Sequence, residues 1–223
     1  LALATLASLE RDVSGRSPWR RRVAGGGEGA NVVARIPAGA VARRTVVLVA
    51  HLDAARTGLA WHPAVNAFGA ERRLRTHRAD PVMGLQAVGL LGAAAGALAG
   101  PRRGGRAVRG AAALLNVAGV ALNLDIARSP TVPGANDNAT GVAVALDLAR
   151  RLAAEPLEHA DVLLALVGCE ESGMGGFHAV LEAHAGELAP ARTFVLGLDT
   201  LGSGTPILAS GEAREKLVRF FTA

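Results

Sequence analysis

Thr45-Val46-Val47-Leu48-Val49-Ala50-His51-Leu52-Asp53 is the stretch from which the fold can be read. From Val46 to Ala50 it is unbroken in apolar character, rich in Val and too short for a helix, which predicts a strand buried on both faces. A His and an Asp two positions apart on an extended chain point the same way. Asp53 can therefore accept from one imidazole nitrogen of His51 while the other faces a ligand; the alternative is a plain surface histidine. Asp161 to Val167 repeats the apolar pattern and runs into Gly168-Cys169-Glu170-Glu171-Ser172-Gly173, and Thr193 to Leu198 repeats it again and ends in Asp199. A shorter β-branched run, Asn31 to Ile36, is turned by Pro37-Ala38-Gly39. Between these runs, Val142, Leu146, Ala149 and Leu152 follow helical spacing, and Gly173 to Ala185 reads as a second helix. Strands alternating with helices predict an α/β fold, a mostly parallel mixed sheet between helices. The carboxyl ends of such strands are where ligands bind, and here they gather His51, Asp53, Glu170, Glu171 and Asp199.

Beside them stands Pro133-Gly134-Ala135-Asn136-Asp137-Asn138-Ala139-Thr140-Gly141, a turn that leads into the helix from Thr140. Held between Gly134 and Gly141, Asp137 has both carboxylate oxygens free for a cation; the alternative is an ordinary helix cap.

Composition narrows the chemistry. Of 223 residues, 50% are hydrophobic but only 3% aromatic, with no Tyr, so Ala, Val, Leu and Gly must build the core. The +5 formal charge is concentrated in Arg16 to Arg22, Arg72 to Arg78 and Arg102 to Arg109, with Trp19 the sole aromatic inside any cluster. That argues against a nucleic-acid groove, which pairs basic charge with stacking aromatics, and towards charge at a membrane edge. The lone Cys169 excludes an internal disulfide and a thiolate zinc site.

Like charges a few ångströms apart cost about 4 kcal/mol at an effective dielectric near 20, so four or five carboxylates on one edge call for cations. Nitrogen and oxygen donors without thiolate suit zinc, or manganese and cobalt. Of two adjacent glutamates one can ligate while the other takes the proton of an attacking water, which is hydrolytic chemistry; the alternative is a solvated pair at a helix start.

In order, His51-Leu52-Asp53, Gly134 to Gly141, Glu170-Glu171-Ser172-Gly173-Met174-Gly175-Gly176 and the strand-end Asp199 resemble the M28 zinc aminopeptidases. That family's pattern is His-x-Asp, Gly-Ala-Asn/Asp-Asp-Asn-Ala-Ser-Gly, Glu-Glu-x-Gly-x-x-Gly and a strand ending in Asp. The resemblance spans residues 31 to 208 apart from an insert. It implies a zinc exopeptidase-like three-layer sandwich that removes N-terminal residues from peptides using two zinc ions. It further implies that Asp137 bridges the two ions, that His51 and Glu171 complete one site, that Asp199 belongs to the other, that Glu170 is the general base and that Asp53 orients His51. Related folds with the same ligands include glutaminyl-cyclase-like acyltransferases, and a membrane-tethered module without turnover is the alternative outside enzymes.

Two departures from the family pattern stand out. No His follows His184, where the family has a further ligand. The chain begins at Leu1 and closes on the amphipathic Glu212 to Ala223, so both ends are expected to continue, with Leu1 to Leu9 the end of a helix. The second departure is the long gap between Asp53 and Asp137. The expected division is a peptidase-like domain of residues 1–58 and 131–223 interrupted by residues 59–130. Within the insert, the uncharged run Val82 to Gly100 and its shorter partner Gly110 to Leu124 read as a hydrophobic helical hairpin joined by an Arg-rich turn. Val82 to Gly100 is long enough to cross a hydrocarbon core of about 30 Å, and Gly92, Gly96 and Gly100 form a smooth stripe for the partner. Residues 82–124 are therefore expected to enter a lipid bilayer, with the catalytic domain extracytoplasmic; the alternative is a soluble helical lid.

Overall fold

The computed structural model describes residues 1–13, 28–64 and 85–204, together with Trp19, Val23 and Ala67. The Arg clusters expected at Arg16 to Arg22 and Arg72 to Arg78, the start of the apolar run at Val82 to Gly84, and the segment Glu212 to Ala223 lie outside the described residues. In chain order the elements are α1 (Ala2–Val13), β1 (Val32–Ile36), β2 (Arg44–His51), α2 (Leu85–Leu98), α3 (Arg103–Arg128), α4 (Thr140–Ala154), β3 (Ala160–Val167), α5 (Gly175–Ala183) and β4 (Thr193–Gly197). They fall into two compact units, one of Ala30–Asp53, Gly134–Glu170 and Met174–Ala223, the other of Leu1–Gly29, Ala54–Pro133 and Glu171–Gly173. Within the second unit, α1 packs against α2.

The first unit is an α/β sandwich around a four-stranded mixed sheet in the order β1-β3-β2-β4. β2 is parallel to both β3 and β4, and β1 runs antiparallel on the edge beside β3. Side chains alternate across a strand, so the Val- and Leu-rich runs feed two cores at once. Leu48, Ala50, Val162, Leu164 and Leu166 meet Val142, Ala145, Leu148, Ala149 and Leu152 of α4 on one face. Val47, Val49, Leu163, Ala165 and Val167 meet Phe177 and Val180 of α5 on the other. Leu146, which was expected on the buried stripe of α4, is exposed. The contact face of that helix is centred on Ala145 and Ala149, and at 100° per residue Leu146 swings off it. α5 begins at Gly175, later than the expected Gly173, because Gly173 (φ 106°) and Met174 (φ 63°) adopt left-handed conformations that a helix cannot include.

At the amino end of β3 the carboxylate of Asp161 accepts the Ala38 N–H at 2.9 Å and the Arg35 Nη2 at 2.6 Å, and Arg35 also reaches Glu187 at 3.1 Å. The Arg35 hydrogen bond, helped by the Ala38 amide, holds the Asp161 carboxyl below its usual range.

In the second unit α2 and α3 form an antiparallel hairpin in which small residues let the backbones approach. A Cβ on Gly89 would meet the Asn116 amide, one on Gly92 the Ala112 methyl at 3.2 Å, and one on Gly96 the Gly105 carbonyl at 3.1 Å. Gly92 and Gly96 belong to the expected stripe, but Gly100 does not: it turns the chain at φ 71° with open space beside it. The Arg-rich segment also differs from expectation. Arg103, Arg106 and Arg109 are not in a turn but in the first two turns of α3, where Arg109 donates to the Gly96 and Gly100 carbonyls. α3 therefore has 26 residues, about 39 Å of helix. Among the described residues α3 alone is long and apolar enough to cross a membrane. The outer faces of the pair stay apolar: Val88, Leu91 and Leu98 on α2, and Leu114, Val117, Val120 and Leu124 on α3, are exposed.

Asp161→Ala removes the acceptor of a main-chain amide and the partner of a water-screened Arg, and is expected to cost about 1–2 kcal/mol at pH 7. Because the folded pKa lies below the unfolded value of about 3.9, this contribution is complete above that value and fades as pH falls through the folded pKa. Denaturant melts of parent and variant are expected to differ at pH 7 and to converge towards pH 2.

Candidate metal centre

His51 is the last residue of β2, where pairing with Val167 of β3 fixes its backbone and burial leaves its side chain 4% exposed. Its Nδ1 lies 2.9 Å from the main-chain carbonyl of Asp53 and 3.7 Å from the Asp53 carboxylate. The expected His–Asp pairing is therefore corrected in one respect. The chain curls after the strand, so the carbonyl of Asp53 reaches the ring first, and its carboxylate accepts the Glu170 N–H at 3.0 Å. Asp53 thus ties the end of β2 to the acidic loop that follows β3.

A carbonyl only accepts, so Nδ1 must carry the proton and Nε2 of a neutral ring presents a lone pair. Nε2 lies 3.0 Å from Oδ1 of Asp137 and 3.7 Å from Oδ1 of Asp199. Asp137 comes from the turn Ala135–Ala139, whose φ/ψ values at Asp137 (−116°, 90°) and Asn138 (−136°, 36°) leave the helical region, after Gly134 has reversed the chain at φ 69°. In chain order this turn follows α3, and Asp137 makes no capping bond to α4. The helix-cap alternative passes instead to Asn138, whose Oδ1 accepts the Gly141 N–H at 3.1 Å. Asp199 sits two residues past β4, just after Leu198 donates to the Val49 carbonyl at 2.8 Å.

One donor atom from each of His51, Asp137 and Asp199 lies within 4.8 Å of the other two. Oδ1 of Asp137 is buried without a hydrogen-bond partner; its 3.0 Å approach to His51 lacks hydrogen-bond alignment. Three electron-rich atoms facing one another, one of them a buried oxygen with no donor, fit a cation between them, and a nitrogen with two carboxylate oxygens is a donor set that suits zinc. The titration behaviour follows the same crowding. Burial, then the neighbouring Asp137, raises the Asp199 carboxyl. Burial pulls His51 down, but the Asp53 carbonyl and the carboxylates of Glu170, Asp199 and Asp137 outweigh it and leave the imidazole above its usual value.

Glu170 follows the end of β3 in a half-buried position; burial raises its carboxyl, with Asp199, Asp53 and Asp137 adding to the rise against His51. The helix-start alternative for the acidic pair does not hold, since α5 is capped at Met174, beyond both glutamates. Glu171 is exposed and groups with the other compact unit. Two residues that sequence reasoning passed over shape this end of the sheet. Asn31 accepts from the Gly168 N–H at 3.1 Å and donates to the Gly176 carbonyl at 2.9 Å, clamping both ends of the acidic loop. Asn138, only 2% exposed, bonds across to the Leu198 carbonyl just past β4. For Asn138 a signal was present in its spacing from Gly141, which is that of a side-chain cap.

The sequence model of Peptidase family M28 matches residues 115–222, a span that holds Asp137, Glu170, Glu171 and Asp199 and leaves out His51 and Asp53. No curated protein and no solved structure matches the chain. Similarity to that peptidase family over this span suggests metal-dependent hydrolysis of peptide bonds.

Proposed function

We propose that the chain is the catalytic part of a zinc aminopeptidase tethered to a membrane by its helical hairpin. The observation that carries the enzymatic reading is the approach of His51 Nε2 to Asp137 and Asp199, with the Asp137 oxygen buried and lacking a donor. Zinc held by His51, Asp137 and Asp199 would polarise the scissile carbonyl and offset the clustered negative charge, and the family pattern implies a second ion. Glu170 is the general base: its raised carboxyl pKa suits it to take a proton from the attacking water and hand it to the leaving amine. Asp53 keeps both partners in register, its carbonyl fixing the His51 tautomer and its carboxylate fixing the Glu170 amide. The substrate is the N-terminus of a peptide, its free α-amine held near the carboxylate pair.

Metal analysis of the full-length protein with a panel of aminoacyl anilides tests this reading. Glu170→Gln is expected to keep zinc and lose turnover by about 100-fold or more, whereas Asp137→Asn loses most of the zinc. Normal zinc and normal turnover in Asp137→Asn would overturn it.

The membrane part rests on the exposed apolar faces of the hairpin and the length of α3. Deleting residues 80–127 behind a short Gly-Ser bridge is expected to move the protein from the membrane to the soluble fraction with its zinc retained. An undeleted protein that is soluble without detergent would rule the tether out.

A further inference from the structure

We propose that Asn138 is a positioning residue that sets the separation of Asp137 and Asp199 and so makes the two carboxylates a single cation-binding unit. This rests on the zinc reading of the same site. Asn138 is nearly fully buried, and each polar atom of its side chain is used. Its Nδ2 donates to the Leu198 carbonyl at 2.8 Å, and its Oδ1 accepts from the Thr200 N–H at 3.2 Å and the Gly141 N–H at 3.1 Å. Leu198 and Thr200 are the residues on either side of Asp199, and Asn138 itself follows Asp137. One amide therefore grips the backbone on both sides of one carboxylate while being bonded covalently to the residue that bears the other.

The neighbourhood has no slack around this amide. A Cβ on Gly141 would run into both the Asn138 side chain and the Leu198 carbonyl, so α4 can pass this close only because residue 141 is Gly. Two further side chains, one in the turn and one at the first residue of α4, hold the loop that follows Asp199. Oδ1 of Asn136 accepts the Gly202 N–H at 2.8 Å, and Oγ1 of Thr140 accepts the Leu201 N–H at 3.0 Å. These bonds secure the loop, but the Asn138 bonds alone bracket the carboxylate. Two like charges must be held together against their repulsion for a cation to find them preassembled, and a buried amide with all its bonds made can do so because rearranging it would leave polar atoms unpaired.

The test compares zinc affinity, by chelator competition, and the visible absorption of the cobalt-substituted protein for parent, Asn138→Ala and Asn136→Ala, with thermal melts as a check on folding. Asn138→Ala is expected to weaken zinc binding about 10- to 100-fold and to alter the cobalt bands, the scale seen when groups supporting metal ligands are removed. Asn136→Ala is expected to lower the melting temperature while keeping zinc affinity within about 3-fold of the parent, a smaller change than such support groups produce. Should Asn138→Ala fail to fold, Asn138→Ser, whose hydroxyl fits the same space and can make one of the bonds, is expected to fold and to show the same loss. Zinc affinity and cobalt spectrum unchanged in a folded Asn138 variant, or a loss no greater than that of Asn136→Ala, would overturn the proposal and leave the zinc reading intact. A parent protein that binds neither zinc nor cobalt would overturn both.

Discussion

The hydrogen bond between Nδ1 of His51 and the Asp53 carbonyl is the constraint on which the rest of the site depends. It decides which nitrogen holds the proton, and with it the direction in which the ring can act as a base. Were the tautomer reversed, Nε2 would carry the proton and would have no lone pair to offer a cation. With the tautomer fixed, the ring and two carboxylates face one another with unshared electrons, and the pKa values of Asp199 and Glu170 rise in response to burial and crowding. The same residue reaches the other participant through its side chain, since the Asp53 carboxylate holds the first amide of the acidic loop.

The strands were legible because both faces of the sheet are covered. Val46 to Ala50 and Val162 to Val167 are apolar at odd and even positions alike, since α4 takes one set and α5 the other. The polar ends of these runs were legible for the same reason: His51 and Asp199 interrupt sequences that otherwise have no use for charge. Spacing did not reveal how Asp53 divides its two acceptors, because period-two alternation gives the direction of a side chain and not the path of the carbonyl beside it. Nor could it reveal the role of Asn138. Its local bond to Gly141 looks like any helix cap, and its other bonds reach residues some sixty positions later, a distance that only the closed sheet spans.

Helix α3 begins earlier than its sequence suggests. Gly104 and Gly105 beside several Arg residues look like a turn, yet Arg is a good helix former, and Gly105 is needed inside α3 because the Gly96 and Gly100 carbonyls come too close for a side chain. Glycine that would cost about 1 kcal/mol in an isolated helix is here repaid by backbone contact along the pair. Close packing by small residues leaves the larger ones, Leu91, Leu98, Leu114 and Leu124, to face outward.

β3 carries very different chemistry at its two ends. At the amino end, Asp161 has its charge matched by Arg35 and its oxygens filled by donors, so this end contributes to stability. At the carboxyl end, the loop brings Glu170 to the acids Asp53, Asp137 and Asp199 around His51. The apolar residues between Val162 and Val167 separate these two environments by the length of the strand. Substitutions that retune the acidic end can therefore accumulate without drawing on the stability secured at the other, and the same strand can serve descendants with altered or abandoned chemistry while still closing the sheet.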